Sequence, residues 1–163
     1  MNWIFGDNVN TDLITPGRYN ITTDPKRLAS IAFIEAKPEF HEQVRPGDFI
    51  VAGGNFGCGS SRETAAIALK ACGVQAILAR SFARIFYRNG MNLGLLLVAT
   101  DTHGIDPEDA LELDPRSGNL LNRSKGLRQQ VTVPPMMLRF WEEGGILSYL
   151  HHYGLDHMAS IIG

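Results

Sequence analysis

The chain has 163 residues, 44% of them hydrophobic and 20% charged, a balance that belongs to folded globular proteins and excludes a disordered chain. Fifteen Lys and Arg against seventeen Asp and Glu give a formal charge of −2, so no strong basic field favours nucleic acid or an anionic membrane. The two cysteines, Cys58 and Cys72, are too few for a disulfide framework, and too few to hold a structural zinc site or an iron–sulfur cluster alone.

The opening Met1-Asn2-Trp3-Ile4-Phe5-Gly6-Asp7 has no basic region followed by an apolar stretch, so it does not read as a signal peptide. The longest aliphatic run, residues 93–99 with one glycine, is far short of the roughly 20 residues a membrane helix needs. These features describe a soluble, reduced, cytoplasmic protein. The expected organisation is one domain over residues 1–163, with a helical C-terminal tail from about residue 134.

In chain order, residues 8–23 are polar and rich in turn formers, the pattern of a long functional loop. Asp24-Pro25 reads as an N-cap followed by proline at the first helical position, with Leu28, Ile31, Ala32 and Ile34 on the apolar face. After a turn at residues 45–48, residues 49–52 form a short buried strand. The run Gly53-Gly54-Asn55-Phe56-Gly57-Cys58-Gly59-Ser60-Ser61-Arg62-Glu63 then implies close backbone approach. A helix over 64–71 stopped by Gly73, a strand over 74–79, a helix from 81 to 87 and a strand over 93–98 complete an alternating α/β unit. The last third changes character. A turn at 114–119 sits between apolar flanks, a strand is expected over 129–133, and helices are expected over 136–143 and 146–153.

The glycine-rich turn carries the chemistry. It is not a Walker A loop, because no Gly-Lys-Ser/Thr follows, and Arg62 stands where the dinucleotide fingerprint needs its third glycine. What remains is a strand, a glycine turn and a helix start bearing two serines and an arginine, a setting that favours an anion. Ser60-Ser61-Arg62-Glu63 fits a capping box, which makes Ser60 a helix cap. The alternative makes Ser60 a base whose alkoxide is stabilised by amides and Arg62. Arg62 is either a surface ion pair or a fork for a substrate carboxylate. Asp7, Thr11 and Asp12 read as turn residues taken singly. Arg80, Arg84 and Arg88 read as a solvated helix face. His151, His152 and His157 lack the partners a metal site needs, and Cys58 suits a small residue in a tight turn.

Three stretches carry a resemblance: Gly6-Asp7-Asn8-Val9-Asn10-Thr11-Asp12 with Ile14 and Pro16-Gly17; the glycine turn from Gly53 to Glu63; and Ala79-Arg80-Ser81-Phe82-Ala83-Arg84-Ile85-Phe86 with Asn89-Gly90. In order and spacing the chain resembles the small subunit of the 3-isopropylmalate dehydratase group, the swivelling domain of the aconitase superfamily. The resemblance implies a three-layer β/β/α swivelling domain with a helical C-terminal extension. It also implies a hydro-lyase that dehydrates and rehydrates a malate-type acid, 3-isopropylmalate to 2-isopropylmalate in leucine biosynthesis. Ser60 maps onto the base and Arg62 onto the carboxylate-binding arginine, while Ser61, Asp12 and Thr11 map onto the substrate site. The family's [4Fe–4S] cluster belongs to a large subunit, so the resemblance implies no cofactor in this chain, a large-subunit partner, and inactivity alone.

One stretch departs from the family. The substrate-sorting loop carries Tyr-Leu-Arg-Thr in the family pattern; here it is Tyr19-Asn20-Ile21-Thr22, with Ile21 in the arginine's place. Citramalate, 2,3-dimethylmalate and homoaconitate therefore join 3-isopropylmalate as candidate substrates. Two other classes stand beside the enzyme reading: an anion-binding regulatory module built on the glycine turn, and an RNA-binding role that the negative charge disfavours. Self-association of the isolated chain through the surface meant for its partner is a further expectation.

Overall fold

The computed structural model describes residues 1–162; Gly163, the end of the expected C-terminal tail, lies outside the described residues. The element order is β1 (Asn2–Ile4), α1 (Thr11–Ile14), a 3-10 turn (Gly17–Tyr19), α2 (Pro25–Ala29), α3 (Glu39–Gln43), β2 (Phe49–Ala52), α4 (Thr64–Ala71) and β3 (Ala76–Ala79). It continues with α5 (Arg84–Asn92), β4 (Leu97–Ala99), β5 (Leu111–Asp114), β6 (Asn119–Asn122), β7 (Leu127–Gln130), α6 (Pro135–Glu143) and α7 (Ile146–Ile162).

Strands β1 to β4 form a parallel sheet in sequence order, with Trp3 opposite Ile50, Ile50 opposite Ile77 and Ile77 opposite Leu97. Every residue of β2 and β3 is buried, which is why these segments read as unbroken apolar runs rather than alternating ones. Strands β5, β6 and β7 form a separate antiparallel sheet. Its first turn falls where the sequence places it, because Asp114 accepts from the Arg116 amide at 3.1 Å and from Ser117 Oγ at 2.8 Å. Leu113, Leu120 and Val131 join the same apolar core as Trp3, Phe33, Phe40, Leu69 and Leu78. Asn2, buried in β1, donates to the carbonyls of Asp106 and Asp109 at 3.0 and 2.8 Å and ties the loop before β5 to the parallel sheet.

Several elements differ from expectation, each for a local reason. The loop at 8–23 contains α1 and the 3-10 turn, because Asn10 caps α1 through the Leu13 amide at 2.8 Å and Ile14 is fully buried. The cap at Asp24 and the proline at the first position of α2 are where expected, but the helix stops at Ala29. Past it, Phe33 turns into the left-handed region (φ 55) and donates its amide to Ile14 at 2.9 Å. α5 begins at Arg84 rather than Ser81, since residues 81–83 pair with Phe56: the Phe56 amide donates to Ser81 at 3.0 Å and the Ala83 amide to Phe56 at 2.9 Å. β3 and β4 start later than expected, and β7 lies earlier. α7 continues past Tyr153 to Ile162 and kinks at Gly154 (φ 80, ψ 169).

Candidate active site

The loops that leave β1 and β2 are zipped together well beyond the strands. Phe5 N donates to Val51 O at 2.8 Å, Gly53 N to Gly6 O at 3.0 Å, Asn8 N to Gly54 O at 2.9 Å, Gly57 N to Val9 O at 2.7 Å and Thr11 N to Cys58 O at 2.8 Å. The glycine turn therefore lies between the first loop on one side and the β3–α5 connection on the other. Gly57 is required by this arrangement: it has φ +82, and a Cβ there would sit 2.1 Å from Phe86 Cγ. Gly59, at φ +96, brings the chain against Thr11.

The capping expectation fails here. α4 begins at Thr64, its N-cap is Glu63, and no side chain makes the cap bond. Ser60 lies four positions before the helix, beyond the first turn over which a helix dipole acts effectively. Its hydroxyl is instead held by two side chains: Arg62 Nε donates to Ser60 Oγ at 2.8 Å, and Thr11 Oγ1 lies 3.0 Å from the same atom. No carboxylate or imidazole is bonded to Ser60 among the described residues. An anion at this oxygen is thus favoured by donors directly, rather than by a neighbouring base drawing its proton away.

Arg62 joins the two loops. Its Nη2 lies 3.2 Å from Asp12 Oδ1, which also accepts from the Gly17 amide at 2.9 Å. The remaining donors of the guanidinium, partly exposed beside Gly17, are free for a carboxylate. Ser61 is exposed, and its carbonyl accepts from Asn89 Nδ2 of α5 at 3.4 Å. Asn89 and Gly17 stand in the stretches that carry the resemblance, but their contacts here depend on packing between separate elements. Thr11 is buried at 2% exposure, with its hydroxyl beside Ser60.

Asp7 and Arg80 form a second link across the same sheet edge. Their ion pair stands beside a bond from the Gly54 amide to Asp7 at 2.7 Å. That amide, and next the Arg80 guanidinium, hold the Asp7 carboxyl below its ordinary range. Arg84 and Arg88 are exposed, as expected of a solvated face. In the loop at 19–22, Ile21 is 87% exposed, Thr22 Oγ1 accepts from the Asp24 amide at 3.0 Å, and Asn20 Oδ1 is buried without a partner. Arg18, just before these residues, is paired with Glu35 and lies over the Tyr19 ring at 5.2 Å.

An apolar groove of about 640 Å³ lies away from this constellation, between α4 and the α6–α7 junction, and shares only Glu63 with the turn. Among the described residues, no group of three His, Cys, Asp or Glu side chains is placed to hold a metal ion. Cys72 faces the Ala29 carbonyl, His157 bonds to Tyr149 at 2.6 Å and His152 to Glu143 at 3.2 Å. The donor set of this chain does not fit a [4Fe–4S] cluster. No helix is long and apolar enough to cross a membrane among the described residues.

Two parallel loops holding a serine, an arginine and an aspartate at the carboxyl edge of a swivelling-type α/β unit define the class. The Aconitase C-terminal domain matches residues 5–103. The chain is 50% identical to the 3-isopropylmalate dehydratase small subunit 2 of Archaeoglobus fulgidus, covering 93% of each. It is 49% identical to small subunit 1 of Methanopyrus kandleri, over 93% of this chain and 91% of that one. It superimposes on the crystal structure of 3-isopropylmalate dehydratase from Methanocaldococcus jannaschii with a TM-score of 0.88 at 41% identity, covering 99% and 96% of the two chains. The chain belongs to the 3-isopropylmalate dehydratase small-subunit family of the aconitase superfamily. The fold is accordingly the aconitase-type swivelling domain with helices at its C-terminus.

Proposed function

We propose that this chain supplies the proton-transfer half of a heteromeric hydro-lyase that interconverts 3-isopropylmalate and 2-isopropylmalate. The observation that carries the reading is the pair of polar groups at Ser60 Oγ, the donor Arg62 Nε at 2.8 Å and the hydroxyl Thr11 Oγ1 at 3.0 Å. An alkoxide held this way takes the proton from the substrate carbon adjacent to the one bearing the hydroxyl. The C–H electron pair becomes the C=C bond as hydroxide departs, and the reverse steps place hydroxide on the neighbouring carbon. Arg62 binds a substrate carboxylate through its free donors, with Asp12 fixing its plane and Ser61 lining the entrance.

Loss of hydroxide from carbon calls for a Lewis acid, which a [4Fe–4S] cluster in a large-subunit partner supplies. This chain is then half of an active site, inactive alone, and works with its partner in the cytoplasm. In the sorting loop, exposed Ile21 and the engagement of Arg18 by Glu35 favour a substrate with an apolar branch. Citramalate and 2,3-dimethylmalate share that character, whereas homoaconitate brings a further carboxylate to a loop beside which the nearby Arg18 is engaged. An alkyl contact of this kind discriminates by about 1–3 kcal/mol per methylene.

The test is anaerobic reconstitution of the chain with a cluster-loaded large subunit, followed by assay on these four acids. Turnover only in the mixture, fastest with 3-isopropylmalate, supports the reading. Micromolar binding of dicarboxylates by the isolated chain, with no turnover in any mixture, would favour the regulatory-module alternative.

A further inference from the structure

We propose that Thr11 is a positioning residue for Ser60: its buried hydroxyl reorients to donate to Ser60 Oγ when that oxygen is anionic. The inference rests on the reading of Ser60 as the base. Thr11 Oγ1 faces two acceptors on one residue, Ser60 Oγ at 3.0 Å and the Ser60 carbonyl oxygen at 3.3 Å. A threonine hydroxyl has one proton to give. With Ser60 neutral, both hydroxyls are satisfied in one arrangement: Ser60 donates to Thr11, and Thr11 donates to the Ser60 carbonyl. With Ser60 ionised, the donor from Ser60 is gone. The Thr11 proton then turns to Oγ, where a charge-assisted bond is roughly twice as strong as a neutral one.

The surroundings make this one rotation count. Thr11 is 2% exposed, so water does not replace it as a donor from that side. Its backbone is fixed by the bond from its amide to Cys58 O at 2.8 Å and by α1, which starts at this residue. The charged groups facing the pair are Arg62 from the turn and Asp12 from α1; α5 contributes the neutral Asn89. Arg62 and Asp12 are paired with each other at 3.2 Å. The Thr11 hydroxyl is thus the neutral partner whose hydrogen bond follows the protonation state of the base.

The test uses the reconstituted complex carrying Thr11→Val, Thr11→Ser or Ser60→Ala, with assembly checked by gel filtration. Thr11→Val keeps the shape and removes the donor. Its kcat should fall by about 10²–10³-fold, the usual loss for one donor to an oxyanion. The acidic limb of its pH–rate profile should move to higher pH while KM stays near wild type. Thr11→Ser should restore both the rate and the limb. An unmoved limb in Thr11→Val, a raised KM with unchanged kcat, or a displaced limb in Thr11→Ser would each overturn the inference. Should Thr11→Val fail to assemble, Thr11→Ala takes its place, with a displaced limb expected and an unmoved limb overturning the inference. Full activity in Ser60→Ala would instead remove the reading of Ser60 as base, an outcome separate from any Thr11 result.

Discussion

Arg62 and Asp12, fifty positions apart in sequence, meet at 3.2 Å, and the same guanidinium reaches Ser60 Oγ through Nε at 2.8 Å. One planar side chain therefore holds Ser60 and Asp12 together. Lysine has a single ammonium on a flexible stem and cannot make both bonds in one geometry. In the reconstituted complex Arg62→Lys should lower kcat, through the lost bond to Ser60, and raise KM, through the lost carboxylate fork. A charge-assisted hydrogen bond contributes about 1.5–3 kcal/mol, so kcat/KM should fall by about ten- to a hundredfold or more. Steady-state kinetics on the intended substrate checks this.

The glycine turn owes its path to Gly57. Alanine there faces about 1–2 kcal/mol of left-handed backbone strain, and its Cβ would lie 2.1 Å from Phe86 Cγ. Gly57→Ala should lower the midpoint of thermal unfolding by about 5 °C or more in the isolated chain. Unchanged unfolding would mean that Phe86 yields without cost.

How much of this was legible in the sequence follows from which forces set each feature. Fully apolar β2 and β3 were visible because a strand buried on both faces leaves no room for polar residues. The cap at Asp24 and the turn at Asp114 were visible because local side-chain bonds make them. The start of α5 was misplaced because Ser81 and Ala83 pair with Phe56, a tertiary contact no local pattern shows. The cap role for Ser60 was wrong for the same reason: the motif was present, yet Arg62 and Thr11 claimed the hydroxyl. The resemblance picked out Ser60, Arg62 and Asp12, and the folded loops bring those three together. It included Asn89 and Gly17 but assigned them no role, since their contacts are made by packing between elements.

Burial pushes the Cys72 thiol up to about 12, from an ordinary value near 9.0. The raised value means the folded state keeps its proton while the unfolded chain releases it. Stability from this group is complete below about pH 9 and is lost as pH rises from there towards 12, at about 1.4 kcal/mol per unit. Cys72→Ala should flatten the alkaline limb of unfolding free energy against pH, measured by urea titration between pH 8 and about 11. At neutral pH a thiol reagent should modify the half-exposed Cys58 while sparing Cys72 until the chain unfolds.

Asp7 behaves in the opposite sense. Its lowered carboxyl, held first by the Gly54 amide and then by Arg80, contributes stability above the ordinary carboxylate range, near pH 4, and loses it as pH falls through the folded value. Asp7→Asn should therefore lower the unfolding midpoint at pH 7, by a deficit that shrinks as pH falls below about 4. An equal deficit at pH 7 and below about pH 4 would assign the Asp7 contribution to shape rather than charge.

The most direct measurement is turnover of the reconstituted small–large complex carrying Ser60→Ala, with assembly and cluster absorbance confirmed beside wild type. The account predicts an intact complex in which isomerisation falls to background in both directions. An assembled Ser60→Ala complex that turns over at the wild-type rate would contradict it.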